Sequence, residues 1–179
     1  MKVIIFNLLE EVVTGAHGEH AWADMIEVSG VSGVYTSLGS YPDAEVLALV
    51  DTAATLLGQS HADVLRGFGR SAMPLLAARY AHMFTPHRDA RSFVGSVNTI
   101  IHPEVRKLYS GAACPHFHVT DHEDGALIIG YQSPRHLCAL AEGFVLGASD
   151  QFGESVMVDH LTCMMDGQPL CRLAVRWLP

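Results

Sequence analysis

The stretch that decides the fold is Ala126-Leu-Ile-Ile-Gly-Tyr-Gln-Ser-Pro-Arg135. Its apolar, β-branched first part predicts a strand over residues 126–133, since it follows turn residues at 123–125. Another strand is predicted at 117–121, just before this turn, so the two strands form a hairpin. A helix is then expected from Pro134 to about Ala148, because proline is favoured in the first turn of a helix.

The pattern differs on the two sides of this stretch. Downstream, two more strands are expected, Glu154–Met165 and Leu170–Trp177, joined by a turn at Asp166–Gly167. Upstream, apolar side chains recur at helical spacing. Helices are expected over residues 2–16, 19–28, 43–57, 61–80 and 91–109, with a Gly/Ser-rich loop at 30–42 and a kink or join at Pro103. Helices first and strands later indicate an α+β protein with an antiparallel sheet of four strands.

Charge and composition exclude several classes of function. The 179 residues carry 11 basic and 19 acidic side chains, a net charge of −8, and the lysines are Lys2 and Lys107 alone. Nucleic acids and anionic membranes both require a basic surface, so neither partner is expected. No apolar stretch has the length needed to span a bilayer. The hydrophobic fraction of 49% indicates a large core or an apolar pocket.

The compartment is predicted from the first residues. The opening MKVIIFNLLEEVV superficially resembles an export signal, but its apolar run is short and ends at Glu10 and Glu11. We therefore expect a cytoplasmic protein. In that compartment the four cysteines are expected to be metal ligands or free thiols rather than disulfides, with Cys114 as a packing residue.

A polar triad lies in the second part of the deciding stretch. Tyr131, Ser133 and Arg135 alternate, so they project to one side of an extended chain. Two hydroxyls and a guanidinium suit a pair of carboxylates in a site shielded from water. The alternative interpretation is the polar, solvent-facing end of a strand.

His102 is a candidate metal ligand. It follows an apolar helical face and is therefore expected to point inward; that face comprises Phe93, Val97, Ile100 and Ile101. A neutral imidazole there can coordinate iron from one side of a macrocycle. The alternative is a core histidine satisfied by one hydrogen bond.

A buried histidine followed 29 residues later by Tyr-x-Ser-x-Arg resembles the H-NOX family, the heme-dependent nitric oxide/oxygen binding domains. The resemblance covers essentially the whole chain and includes IIFNLLEEVV (4–13), GVYTSLGSYPD (33–43), SVNTIIHPEVRKLY (96–109) and YQSPR (131–135). It implies a single domain over residues 1–179. A helical N-terminal sub-lobe of about 1–60 and an α+β sub-lobe of about 61–179 would hold heme b between them.

The resemblance also implies roles for individual residues. His102 matches the proximal ligand of the heme iron, and the Tyr-x-Ser-x-Arg triad matches the group that holds the heme propionates. Ile5 and Pro115 match residues that press on the macrocycle and bend it out of plane. Such bending stores strain that a ligand can release.

The distal side of the pocket bears on gas selectivity. Oxygen-binding members carry a tyrosine nine residues beyond the triad tyrosine, and here that position is Leu140, in one apolar stripe with Phe144. Leu9 and Pro74 occupy positions where oxygen binders keep further hydrogen-bonding groups. None of these side chains donates a hydrogen bond, and bound dioxygen needs a donor far more than NO or CO does. The resemblance therefore implies binding of NO and CO but not O2, although the stripe also suits an ordinary core.

A second metal site is expected in the C-terminal half. Cys138, His160, Cys163 and Cys171 supply three thiolates and one imidazole, the ligand set of a closed structural zinc site. Their spacing is not a standard zinc-finger pattern, but the set resembles a zinc site in a subset of H-NOX proteins. Ligation by both His160 and Cys163 requires a bulge or a strand end near Thr162. The alternative is a group of buried thiols that act as small apolar side chains.

The resemblance implies a stand-alone, bacterial-type heme gas sensor, not an enzyme, that regulates a separate signalling protein by conformational change. The implied partner is a sensor histidine kinase or a cyclic-di-GMP synthase or phosphodiesterase. Two alternatives belong to other classes. A small heme enzyme needs a distal acid/base group that the apolar stripe does not supply. A zinc–thiol redox sensor would use the cysteines, with heme secondary.

Overall fold

The computed structural model describes residues 1–36 and 38–179; Ser37, within the predicted 30–42 loop, lies outside the described residues. The helices are α1 Val3–His17, α2 Glu19–Ser29, α3 Asp43–Leu57, α4 His61–Arg79, α5 Ala81–Phe84, α6 Ala90–Gly95, α7 His102–Leu108 and α8 Cys138–Gln151. A π-helical turn, Val97–Ile101, joins α6 to α7. The strands are β1 His116–Asp121, β2 Leu127–Gln132, β3 Val156–Thr162 and β4 Cys171–Trp177, and a 3₁₀ turn, Met164–Asp166, follows β3.

The helix boundaries near residue 60 follow from local capping. Gly58 adopts a left-handed conformation (φ 62°) that ends α3, which costs glycine little because it has no Cβ. The Ser60 hydroxyl then accepts a hydrogen bond of 3.1 Å from the Asp63 backbone N–H and begins α4. The predicted boundaries of these two helices are confirmed.

The strands of the described residues form one antiparallel sheet in the order β1-β2-β4-β3. Phe117 pairs with Tyr131 across β1 and β2, and Ile129 pairs with Leu173 across β2 and β4. Ile129 and Leu173 are buried on the face that α8 covers. The predicted α+β class with four antiparallel strands is confirmed.

Two hydrophobic cores meet along α4. Phe68 and Ala72 of α4 pack in the first core with α1 and α3, whereas Met73 packs in the second core with the sheet and α8. Helices α4 and α8 cross at very short range, because Gly143 and Gly147 of α8 face backbone atoms of α4. The space between the cores is therefore bounded by rigid elements on several sides.

The helix expected from Pro134 begins instead at Cys138 and continues to Gln151. Two local hydrogen bonds hold the intervening residues in a turn: the Ser133 hydroxyl accepts one from the Arg135 backbone N–H, and the Tyr131 hydroxyl accepts one from the Leu137 N–H. These bonds satisfy backbone donors without a helix, so α8 begins later than predicted.

The expected 91–109 helix is divided into α6, the π-helical turn and α7. Pro103 has no N–H, so the α-helical hydrogen bond to the carbonyl of Thr99 cannot form. The Ser96 carbonyl instead accepts hydrogen bonds from both the Ile100 and Ile101 N–H groups. The expected 154–165 strand is also shorter, because the register shifts between His160 and Thr162 and a 3₁₀ turn follows.

Candidate functional site

A cavity of about 420 Å³ lies between α1, α4, α7, α8 and the inner face of the sheet. Its walls are mostly apolar, with residues such as Leu76, Val97, Ile101, Leu140 and Phe144. A large apolar cavity with a few polar groups is the usual place for a bound cofactor.

His102 lies on the cavity wall at the start of α7. Burial, with smaller contributions from Arg106 and His116, lowers the pKa of His102 to about 4. The imidazole is therefore neutral near pH 7, which is its metal-binding form. Its Nδ1 atom is buried and has no hydrogen-bond partner among the described residues. A buried polar atom without a hydrogen bond lowers the stability of the fold by about 1–3 kcal/mol, unless a bound ligand orders the ring and offsets that loss.

The triad reaches the same cavity from the far end of β2. Tyr131 and Ser133 are buried, and Arg135 is partly buried, with all three side chains on the cavity wall. The Tyr131 hydroxyl accepts a hydrogen bond of 3.1 Å from the Leu137 N–H, which leaves its own proton free to donate. Arg135 Nε donates to Asp43 Oδ2 at 2.7 Å, so the guanidinium already holds a carboxylate.

The predicted pocket residues divide into two groups. Ile5, Pro115, Leu140 and Phe144 line the cavity with His102 and the triad. Leu9 and Pro74 do not line it: Leu9 packs in the first core, and Pro74 is exposed on α4. These two assignments are corrected.

The physical reason for this correction is helix geometry. Successive residues turn by about 100° around a helix, so a neighbour of a cavity residue faces elsewhere. Leu8 and Met73, each one position earlier, line the cavity instead.

Sequence reasoning missed a pair of tyrosines on the cavity wall. The hydroxyls of Tyr80 and Tyr109 lie 2.9 Å apart and link the end of α4 to the end of α7. Burial and, to a lesser degree, the hydrogen bond with Tyr80 raise the pKa of Tyr109 to about 12. The contact of Asp43, in the first turn of α3, with Arg135 was not predicted either. No short-range pattern could have identified either contact, since each joins residues far apart in the chain.

The cysteines expected to bind zinc lie where α8 meets the sheet, in a cluster with Tyr131 and Ala141, which also line the cavity. Cys163 Sγ lies 3.7 Å from Cys138 Sγ and 3.8 Å from Cys171 Sγ. All three sulfurs fall within 4.8 Å of one another. A tetrahedral site with Zn–S bonds of about 2.3 Å places its sulfurs about 3.8 Å apart, so the spacing fits zinc. Burial raises the pKa of the Cys138 and Cys171 thiols, so metal binding must displace their protons.

His160 is not brought into this cysteine group. The bulge that its ligation requires is present, between His160 and Thr162. The imidazole Nε2 nevertheless lies 3.3 Å from Glu142 Oε2, a buried carboxylate that also accepts a 2.6 Å hydrogen bond from Arg66. Three of the four predicted ligands are therefore together in this structure.

The sequence profile of the haem-NO-binding family matches residues 2–160. The chain belongs to the H-NOX family. Among curated proteins, none matches it significantly.

Solved H-NOX structures resemble the chain over its whole length. The crystal structure of an H-NOX protein from S. oneidensis in the Fe(II)NO state is 33% identical, with full coverage of both chains and a TM-score of 0.94. The NMR structure of an H-NOX domain from Shewanella oneidensis in the Fe(II)CO state is 33% identical over 99% of each chain, with a TM-score of 0.90. An unliganded Fe(II) H-NOX protein from K. algicida is 24% identical over 100% of this chain and 97% of its own, with a TM-score of 0.85, which supports the fold alone.

Membership of the H-NOX family determines the general class of function. H-NOX proteins bind heme and gases such as NO and CO, and they are sensors rather than enzymes. The alternative of a small heme enzyme is thereby excluded. Among the described residues, no helix combines the length and the apolar character needed to cross a membrane.

The chemistry of the cavity fits the heme of an H-NOX protein. The walls are apolar, a neutral imidazole with a buried unpartnered nitrogen lies on one side, and an arginine with two hydroxyls lies at one end. This set offers one metal ligand and donors for two carboxylates within a water-poor space.

Proposed function

We propose that this H-NOX protein is a sensor of NO and CO that does not bind O2 and that regulates a separate signalling protein. The observation that carries the proposal is the apolar cavity that unites His102, with its unpartnered nitrogen, and the Tyr131–Arg135 triad. In this proposal residues 1–179 act as one domain in the bacterial cytoplasm, with sub-lobes of about 1–60 and 61–179 on the two sides of the heme.

Each polar residue then has one task in holding the cofactor. Bound heme supplies an iron atom with an open coordination position for a diatomic gas. His102 provides the protein ligand, for which its neutral form is required. Ser133 and the free proton of Tyr131 donate to the propionates, and Arg135 exchanges part of its contact with Asp43 for a propionate. Ile5 and Pro115 pack against the ring.

The apolar lining supports selectivity for NO and CO. Leu8, Leu140 and Phe144 offer no hydrogen bond to a bound gas, and dioxygen depends on one most strongly. Tyr80 and Tyr109 share one hydrogen bond, which uses the proton of one hydroxyl and leaves the other proton as the candidate donor on this wall. We expect NO and CO each to give the ferrous protein a stable ligand-bound spectrum, whereas air should give no stable oxygen-bound spectrum. A stable oxygen-bound spectrum in air would contradict the selectivity, and its loss in Tyr80→Phe with Tyr109→Phe would identify this pair as the donor.

Heme ligation by His102 is tested by substitution. His102→Ala should lose heme or leave an iron site that free imidazole restores, because no other protein ligand replaces the ring. His118→Ala, an exposed histidine on β1, is the matched control and should keep normal heme content. Unchanged heme content and axial ligation in His102→Ala would eliminate the assignment.

Signal output is proposed to follow movement of the two helices that contact the heme. Ile5 lies on α1 and His102 on α7, so a change of ligand at the iron alters the contacts of both helices. The proposed partner is a histidine kinase or a cyclic-di-GMP synthase or phosphodiesterase. The test measures kinase autophosphorylation and cyclic-di-GMP turnover with the unliganded, NO-bound and CO-bound protein. Equal activity with all three forms would refute regulation by conformational change.

We also propose that Cys138, Cys163 and Cys171 hold a structural Zn²⁺ with His160 as the fourth ligand. The sulfur spacing supports the three thiolates, while His160 must leave Glu142 to join them. Metal analysis should find about one zinc per chain, lost in Cys163→Ser and kept in the control Cys114→Ser. Zinc retention in His160→Ala would show that His160 is not a zinc ligand. A protein that binds zinc but no heme would favour the zinc–thiol redox sensor.

A further inference from the structure

The structure contains a contact between the turn before His102 and the edge of the sheet. The Asn98 side-chain amide meets both backbone groups of one residue: its Oδ1 accepts a 3.3 Å hydrogen bond from the Phe117 N–H, and its Nδ2 donates to the Phe117 carbonyl. Strand β1 is at the edge of the sheet, so these backbone groups have no neighbouring strand to pair with. Asn98 occupies the place that a further strand would take.

The segment that carries Asn98 depends on hydrogen bonds to other elements of the fold. It is a π-helical turn, in which Ser96 supplies the carbonyl for several N–H groups and Pro103 supplies no N–H. Such turns are rare within helices and occur frequently at functional sites. The two hydrogen bonds to β1 therefore hold a segment that its own backbone bonds hold weakly.

The same strand residue touches the proposed iron ligand. The ring of Phe117 lies 5.7 Å from the His102 imidazole, measured between ring centroids. Asn98 and His102 are four residues apart and so lie on one face of the helical segment. Phe117 also lines the cavity, as does Pro115 two residues earlier on the same strand side.

We propose that Asn98 is a positioning residue that holds the π-helical turn against Phe117 and thereby sets the orientation of the His102 imidazole. This inference rests on the proposed function only in that His102 is the iron ligand. Asn98 does not line the cavity; it acts through Phe117 and through the four-residue spacing to His102. It also connects the helix of His102 to strand β1, which directly follows Pro115.

The test compares Asn98→Ala and Asn98→Asp with the control Thr99→Ala. Thr99 is exposed on the same turn, and among the described residues its hydroxyl donates only to the Ser96 carbonyl, so its loss leaves the contact with β1 unchanged. The aspartate keeps an acceptor for the Phe117 N–H but cannot donate to the Phe117 carbonyl. We expect the iron–imidazole stretching frequency of the ferrous, gas-free protein to shift in both Asn98 variants and to stay unchanged in the control.

A second measurement needs no heme. In the protein as purified, the Phe117 amide should exchange its hydrogen about tenfold faster in Asn98→Ala, since one lost hydrogen bond corresponds to roughly that factor. An unchanged stretching frequency at full heme loading, or an unchanged exchange rate, would overturn the inference. If the unsubstituted protein binds no heme, the proposed function fails, and the exchange rate alone still decides whether Asn98 holds the turn. If Asn98→Ala does not fold, Asn98→Leu provides both measurements, since leucine has a similar volume and neither accepts nor donates a hydrogen bond.

Discussion

Replacement of Gly143 by alanine is expected to force helices α4 and α8 apart. A Cβ at Gly143 would lie 2.2 Å from the carbonyl oxygen of Arg66, where ordinary contact begins at 3.4 Å. The helices must therefore separate locally by about 1 Å, because both sides of the contact are backbone. The helices are similarly close one turn later, where a Cβ at Gly147 would lie 2.6 Å from the Arg70 carbonyl oxygen.

Two opposing effects determine how much Gly143→Ala changes the stability of the protein. Alanine favours a helix over glycine by about 1 kcal/mol. Overpacking in a rigid interior costs typically 1–3 kcal/mol, and a backbone-to-backbone clash belongs at the upper end of that range. The net loss of stability is about 2 kcal/mol, which lowers the melting temperature by roughly 4–8 °C for a chain of this size. Heme retention should fall as well, because α8 carries Leu140 and Phe144 of the cavity wall.

The assay is thermal unfolding of the protein as purified, followed by heme content after gel filtration. Gly67→Ala is the matched control: it lies on α4, and no atom comes within 4 Å of its added Cβ. We expect it to be more stable than the unsubstituted protein by about 0.5–1 kcal/mol, from reduced backbone freedom in the unfolded chain. Equal stability of the two alanine variants would refute the argument from close helix packing.

Three further expectations concern single contacts. Ser60→Ala should lower the free energy of unfolding in urea by about 1 kcal/mol, because it removes the N-cap of α4. Tyr131→Phe should lower the free energy of unfolding by about 1–3 kcal/mol even without heme, since the buried Leu137 N–H loses its acceptor. Unchanged stability would mean that Tyr131 contributes only to holding the cofactor. Burial opposes ionisation of Asp43, but hydrogen bonds from the amino terminus and Arg135 outweigh it and hold the pKa of Asp43 below 3.8. The ionised Asp43 carboxylate therefore stabilises the fold above that pH, and this stabilisation is lost as the pH falls through the pKa of the folded protein. In thermal melts at decreasing pH, Asp43→Asn should lack the part of the stability loss that the unsubstituted protein shows over this range.

The elements that could be predicted from sequence are those with local causes. Gly58 and Ser60 mark the end of α3 and the beginning of α4 through backbone conformation and capping alone. The His102 and triad positions were predicted by resemblance, and the structure brings them to one cavity.

What could not be predicted depends on contacts between distant residues. Leu9 and Pro74 were assigned by position along the chain, whereas the direction of a side chain depends on how a helix is rotated against its neighbours. The late beginning of α8 depends on the Tyr131 hydroxyl, which only the folded turn places beside Leu137. The tyrosine pair on the cavity wall joins residues 80 and 109, and no periodicity connects them.

The position of His160 shows how charge burial selects one arrangement over another. Glu142 is only 7% exposed, and a buried carboxylate requires partners, which Arg66 of α4 and His160 of β3 provide. If His160 turned toward the cysteines, Glu142 would keep Arg66 alone. Cys138 and Glu142 lie one turn apart on α8. The two possible partners of His160, the Glu142 carboxylate and the cysteine group, therefore lie side by side. Because α8 also contributes Leu140, Ala141 and Phe144 to the cavity wall, a displacement of α8 would reach the proposed heme site and the cysteines together.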